Sequence, residues 1–92
     1  MKDINNRFIN FQPSKSQLKV FQKLISAFDK RSPKDSFLSS SIKQDSSRFN
    51  GVAKVYNGSH FFQIKAEGKN FQEVIGKLRA KMIFQLKRWR AK

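Results

Sequence analysis

The chain has 92 residues, of which 38% are hydrophobic and ten are Phe, enough for one thin core and too apolar for a disordered basic tail. Twenty Lys and Arg stand against six Asp and Glu, so the net charge of +14 favours a polyanionic partner. The absence of Cys excludes disulfides, zinc ribbons and thiol nucleophiles, and no apolar run approaches the roughly 20 residues of a membrane span. With no signal-peptide pattern at its start, the sequence predicts one basic cytoplasmic domain over residues 1–92.

The first third of the chain predicts a strand and a helix. Residues 7–11 form a short apolar-rich stretch, expected to be the first strand. A helix over 14–31 follows, because Ser14 and Gln17 form a capping-box pattern and Pro33 disfavours continuation. Its apolar stripe consists of Leu18, Phe21, Leu24, Ile25 and Phe28, and its opposite side carries Lys15, Lys19, Lys23 and Lys30.

The middle third predicts three strands, at 36–43, 49–56 and 59–67. Asn57-Gly58 is a strong hairpin signal, because both residues tolerate positive φ. A two-residue loop there places Ala53 opposite Phe62 and Val55 opposite His60, whereas a three-residue loop shifts the register. The sequence leaves these two registers open. The expected core face carries Phe49, Ala53, Val55, Phe62, Ile64 and Ala66.

The last third predicts a second, longer helix that begins at Asn70 and runs nearly to the end of the chain. Its apolar face contains Phe71, Val74, Ile75, Leu78, Met82, Leu86 and Trp89. The element order β-α-β-β-β-α therefore predicts an α+β two-layer sandwich. In it, two helices pack on one face of a four-stranded sheet, as in double-stranded-RNA-binding domains.

The positive charge is concentrated at the two ends of the chain. Residues 1–34 hold eight basic and two acidic residues, residues 35–68 hold four and three, and residues 69–92 hold eight and one. Solubility alone does not require such an excess of positive charge at the two ends. Binding to nucleic-acid phosphates accounts for it. The candidate RNA-binding residues are Lys15, Lys19, Lys23, Lys30, Lys77, Arg79, Lys81, Phe84, Lys87, Arg88 and Arg90.

Two aromatic residues of the second helix have alternative interpretations. Phe84 lies within a basic row, where it either stacks on an unpaired base or covers a core edge or protein contact. Trp89 is in phase with the apolar face, which favours closing the core over stacking.

The sequence offers little for catalysis. His60 is the single histidine and has no acidic neighbour in sequence, the carboxylates are scattered, and metal-ligand clusters are absent. The four glycines are too widely spaced for a phosphate-binding loop. We therefore expect a binding protein that is not an enzyme and needs neither metal nor cofactor.

Several segments in the second half of the chain resemble one known family. They are Val55-Tyr56-Asn57-Gly58, Ala66-Glu67-Gly68-Lys69-Asn70-Phe71, Val74-Ile75, Leu78 and residues 81–88 (Lys-Met-Ile-Phe-Gln-Leu-Lys-Arg). Together they resemble the ribosome hibernation promoting factors, a family that includes the ribosome-associated inhibitor of translation. The first half agrees in element order but not in motif.

This resemblance implies a partner and a mechanism. It implies that the helices' basic side chains bind 16S-type rRNA in the decoding groove of the small ribosomal subunit. There the protein would block the mRNA and tRNA sites and inhibit translation under stress. Lys81, Gln85, Leu86 and Arg88 match the family pattern, whereas Ile83 replaces a usual Glu and Phe84 a usual Arg. The sequence ends after the second helix, so it resembles the short, single-domain members, and we expect a monomer away from the ribosome.

Two other functions remain open from the sequence. One is a general structured-RNA-binding domain, although such domains usually begin their last helix with a lysine cluster and only Lys69 stands there. The other, of a different class, is a cationic module that binds a membrane surface or an acidic protein, supported mainly by Ile83 and Phe84.

Overall fold

A computed structural model of the chain describes residues 3–90 and the side chains of residues 4–89. Its elements are β1 (Asp3–Ile9), α1 (Lys15–Arg31), β2 (Phe37–Asp45), β3 (Arg48–Asn57), β4 (His60–Gly68) and α2 (Phe71–Arg90). The predicted element order and the predicted α+β two-layer fold are confirmed.

The four strands form one mixed sheet in the order β1-β2-β3-β4. β1 runs parallel to β2, with α1 as the crossover between them, and the other pairs are antiparallel. Buried side chains on one face of the sheet join those of both helices in a single core. On β2, β3 and β4, no position on the opposite face is buried, so this outer face remains in contact with solvent.

The first strand lies earlier than the sequence predicted, at Asp3–Ile9 and not at residues 7–11. Asn10 ends it by adopting a left-handed backbone with φ of 68°, which Asn tolerates better than most residues. Phe11 therefore leaves the sheet and packs edge-on against Phe49, with ring centroids 5.2 Å apart. Five rings meet at this end of the core: Phe8, Phe11, Phe21, Phe49 and Phe71.

The hairpin between β3 and β4 turns one residue later than the Asn57-Gly58 loop would require. Asn57 pairs with His60, so Gly58 and Ser59 form the loop, and Gly58 takes a positive φ of 61°. Val55 consequently lies opposite Phe62, and not opposite His60 as a loop at Asn57-Gly58 predicted. The shift is two residues along β4, so the predicted core face is preserved.

The first helix begins as predicted, with the Ser14 side chain accepting from the Gln17 backbone and the Gln17 side chain accepting from Ser14. Phe21, Leu24 and Phe28 of the predicted stripe are buried. Leu18, in the first turn of the helix, is an exception, being 41% exposed.

The second helix packs closely over β3. Asn70 caps it by accepting a hydrogen bond from the Glu73 backbone N–H at 2.8 Å. The first six residues of its predicted apolar face are buried, and Trp89 packs against the core at its end. A Cβ on Gly51 would lie 2.7 Å from Val74 Cγ1 and 2.8 Å from Leu78 Cδ1, so glycine permits this approach.

Candidate nucleic-acid interface

A basic groove of about 800 Å³ runs between the two helices. Its described lining includes five cationic side chains and no acidic one: Lys19, Lys23, Lys30, Arg31 and Arg79. We call these five residues, with Gly76, the interhelix groove. Since the described lining presents one sign of charge, the groove can accept the phosphates of a polyanion.

The helical period explains why the lysines of α1 reach the groove. Phe21, Leu24 and Phe28 turn one face of α1 into the core, and Lys19 and Lys23 follow each other at a spacing of four residues beside that face. Like charges at this spacing repel each other and destabilise an isolated helix by about 0.2–0.5 kcal/mol per pair. Within the described residues, neither lysine forms an ion pair that offsets this repulsion. A bound polyanion would offset it.

The opposite flank of α2 has a different environment, because it lies along the edge strand β4. The ammonium of Lys77 donates to the backbone carbonyl of Glu67 at 2.8 Å, and that of Lys81 donates to the carbonyl of Lys65. These carbonyls belong to the strand at the end of the sheet, where no further strand pairs with them. The two lysines therefore cover an exposed sheet edge.

Lys77 also forms an ion pair with Glu73 on the preceding turn, with Nζ 3.1 Å from Oε1. The hydrogen bond from Lys77 lowers the pKa of the Glu73 carboxyl below its usual value. Lys77 thus has two partners within the protein. An ammonium has three donors, so one donor remains for an outside acceptor.

Phe84 is 61% exposed, which rules out the interpretation that it covers a core edge. It borders a groove of about 610 Å³ at the side of β4, together with Gln63 and Lys65. The guanidinium carbon of Arg88 lies 6.0 Å from its ring centroid, within the range of a cation–π contact. A base or a protein side chain could pack on this ring.

Trp89 closes the core, as its helical phase predicted. Its ring meets Phe62 edge-on, with centroids 5.1 Å apart, and lies 6.5 Å from the His60 ring. His60 is exposed and its ring packs near an aromatic neighbour, which suits a hairpin residue.

The structure divides the predicted RNA-binding residues between two surfaces. Lys19, Lys23, Lys30 and Arg79 meet in the interhelix groove, whereas Lys77, Lys81, Phe84 and Arg88 lie on the β4 side of α2. Lys15 and Lys87 are exposed outside the groove lining, and the side chain of Arg90 lies outside the described residues.

Arg31 also lines the groove, although it is absent from the candidate RNA-binding residues predicted from the sequence. Its spacing of eight residues from Lys23 was the available signal. The sequence places equal numbers of basic residues in the first and last thirds of the chain, yet four of the five groove cations come from α1.

Other kinds of site find no support in the described part of the chain. Among residues 3–90, no three His, Asp or Glu side chains come together as a metal site would need. None of the helices in this range has the length and apolar character required to cross a bilayer.

Comparisons with known proteins agree with the fold. No protein-family model matches the sequence, and no curated protein matches it. Among solved structures, a ribosomal subunit interface protein from Coxiella burnetii is 15% identical with a TM-score of 0.78, covering 98% of this chain and 99% of that one. The Protein Y N-terminal domain from Thermus thermophilus is 11% identical with a TM-score of 0.79, covering 95% and 98%. Over nearly its whole length, the chain therefore has the fold of these two proteins, as the family resemblance of its motifs implied.

Proposed function

We propose that this protein is a ribosome hibernation factor that binds the rRNA of the small subunit through its basic helix surfaces. In this proposal it occupies the decoding groove, blocks the mRNA and tRNA sites and so inhibits translation. It acts in the cytoplasm as a single binding domain, without catalysis or a cofactor, and is a monomer away from the ribosome.

The observation that carries the proposal is the interhelix groove. Lys19 and Lys23 stand opposite Arg79 across the groove, and no acidic side chain lines the described part of it. The fold adds support, because one of the similar structures is itself a ribosomal subunit interface protein. A basic groove on that fold is the arrangement expected of a protein that inserts between rRNA backbones.

The proposed mechanism depends on neutralising rRNA phosphates and on the volume that the bound protein occupies. Each phosphate that a Lys or Arg neutralises releases counterions, which supplies affinity without reading sequence. The Cα trace measures 40 × 21 × 19 Å along its principal axes, and its two layers share one packed core. A rigid body of this size, held by several phosphates, excludes other ligands from the volume that it occupies.

Equilibrium binding of the wild-type protein to isolated small subunits tests this proposal. The logarithm of affinity should fall linearly with the logarithm of salt concentration, with a slope of about −0.7 to −0.9 per phosphate contact. Prebound mRNA and initiator tRNA should weaken binding, and the protein should reciprocally displace them. Undisturbed simultaneous binding would contradict the blocking mechanism.

Binding measured in parallel to other polyanions separates the two alternatives. A general structured-RNA-binding domain would bind unrelated RNA duplexes as tightly as it binds the small subunit. A cationic membrane-surface or acidic-protein module would prefer anionic vesicles or acidic peptides. The second alternative loses part of its support because Ile83 is half-buried, which leaves Phe84 as its exposed apolar residue.

A further inference from the structure

The outer face of the sheet, opposite the helices, carries a row of three aromatic side chains. The strand register places Phe37 on β2 opposite Tyr56 on β3, and Tyr56 opposite Phe61 on β4. We call these three residues the aromatic row. Because it lies on the face opposite the core, the row is separate from the interhelix groove.

The three rings of the aromatic row pack in series across the strands. Tyr56 and Phe61 are stacked, with centroids 5.7 Å apart and planes 21° from parallel, and Phe37 lies 5.9 Å from Tyr56. Cross-strand aromatic pairs stabilise a sheet by themselves, which accounts for the packing of the three rings on one another. It does not account for Phe61 being 60% exposed, since burial in the core would remove that apolar area from water.

Polar and cationic side chains lie next to the aromatic row on the same face. One pleat along the strands, about 7 Å away, Ser39, Lys54 and Gln63 form the adjacent row. Lys65 lies one pleat further along β4. Going along β4 away from the aromatic row, the first carboxylate on the outer face is that of Glu67. Its Oε1 lies 3.7 Å from Nη2 of Arg48.

The lysines of the outer face and the rings of the aromatic row together indicate the class of ligand. A face with aromatic rings at one end and ammonium groups alongside is complementary to a chain with planar apolar groups and regularly spaced negative charge. Single-stranded RNA has this composition, and aromatic residues on adjacent strands of a four-stranded sheet are a known way to stack two or three unpaired bases.

We propose that the outer face of the sheet binds single-stranded RNA, with unpaired bases stacked on Phe37, Tyr56 and Phe61 and the backbone running past Lys54 and Lys65. This is a second RNA surface, on the face opposite the interhelix groove and suited to unpaired nucleotides. Since a free oligonucleotide tests it without a ribosome, failure here leaves the groove proposal intact, and the converse also holds.

The test is fluorescence anisotropy of a labelled, unstructured oligoribonucleotide of about eight nucleotides. The wild-type protein should bind it, and Phe61→Leu should weaken binding by about five- to 150-fold because it removes the ring but keeps apolar area. Phe61→Trp, which keeps an aromatic ring at this position, should bind the oligonucleotide at least as tightly as the wild type. Leu18→Ala is the control, since Leu18 is also an exposed apolar side chain but lies on α1, outside the aromatic row and the interhelix groove, and it should bind like the wild type.

An abasic oligonucleotide of the same length separates stacking from charge, since it keeps the phosphates and lacks the bases. The proposal predicts that it binds weakly and no longer distinguishes Phe61→Leu from the wild type. Equal binding of the abasic and normal oligonucleotides would overturn the proposal. So would Phe61-dependent binding to anionic phosphatidylserine vesicles without such binding to RNA, which would assign the surface to a membrane.

Discussion

The ammonium of Lys77 on α2 donates a hydrogen bond to the backbone carbonyl of Glu67 on the edge strand β4, over 2.8 Å. Lys81 makes the corresponding bond to Lys65 one turn further along the helix. In the described structure, Lys19, Lys23 and Arg79 of the interhelix groove form no such bond. Lys77 and Lys81 therefore cover a sheet edge. The groove residues Lys19, Lys23 and Arg79 remain available to a ligand.

Removing both edge-covering lysines should expose the edge of β4. We expect Lys77→Ala combined with Lys81→Ala to lower the melting temperature by about 2–4 °C and to promote concentration-dependent self-association. Thermal unfolding and sedimentation velocity measure the two effects. Lys87→Ala is the control, because Lys87 is exposed on the same helix and forms no hydrogen bond in the described structure. Equal behaviour of the control and the double variant would show that the edge contacts contribute nothing.

Gly76 lies in the interior of α2 and borders the interhelix groove. Apart from its chain neighbours and the nearby backbone of its own helix, a Cβ there would have no atom within 4 Å, so packing does not require glycine. Gly76→Ala should raise the free energy of unfolding by about 0.5–1 kcal/mol, because it reduces backbone entropy in the unfolded chain. If RNA approaches the helix backbone at this point, the same change should weaken ribosome binding several-fold. Denaturant unfolding and subunit binding, measured on one preparation, test the two effects. A gain in both stability and affinity would place the RNA elsewhere.

Gly51 should behave in the opposite way. Its Cβ would collide with Val74 and Leu78, both of which are buried, so α2 would have to move away from β3. We expect Gly51→Ala to destabilise the protein by about 1–3 kcal/mol, as other cases of overpacking do. Urea unfolding provides the measurement. A variant as stable as the wild type would mean that α2 packs less closely on the sheet than described.

Phe84 allows a test of what the exposed flank of α2 contributes. Because Phe84 is exposed, Phe84→Ala should leave the melting temperature nearly unchanged. Phe84→Arg restores the basic residue usual at this position in the hibernation-factor pattern and should strengthen ribosome binding if a phosphate lies there. Stronger binding by Phe84→Ala than by Phe84→Arg would argue against a phosphate contact on this flank.

Local signals in the sequence were sufficient for most of the fold. Ser14 and Gln17 define the start of α1, Asn70 that of α2, and the apolar spacing of each helix identifies its buried face. The limits of β1 were wrong because its pairing with β2 is non-local, so polar residues such as Asn5 join the sheet without a local signal. The hairpin register depended on whether Ser59 or Asn57 enters the loop, which composition does not decide.

The candidate sites were less predictable, because they depend on packing between distant elements. Lys19 and Arg79 are far apart in sequence and meet only because α1 packs beside α2. The bonds of Lys77 and Lys81 depend on α2 lying along β4. The aromatic row requires the strand register, which the sequence left open.

Co-sedimentation with small ribosomal subunits in density gradients tests the central claim most directly. The variant combines Lys19→Gln, Lys23→Gln and Arg79→Gln in the interhelix groove. Its control combines Lys34→Gln, Lys43→Gln and Lys69→Gln, which removes the same charge from exposed positions outside the groove. We predict that the groove variant loses about tenfold or more in affinity at moderate salt and about two to three units of salt slope, whereas the control stays within a few-fold of the wild type. Equal losses in the two variants, or a groove variant that co-sediments like the wild type, would contradict the assignment of the groove as the ribosome-binding surface.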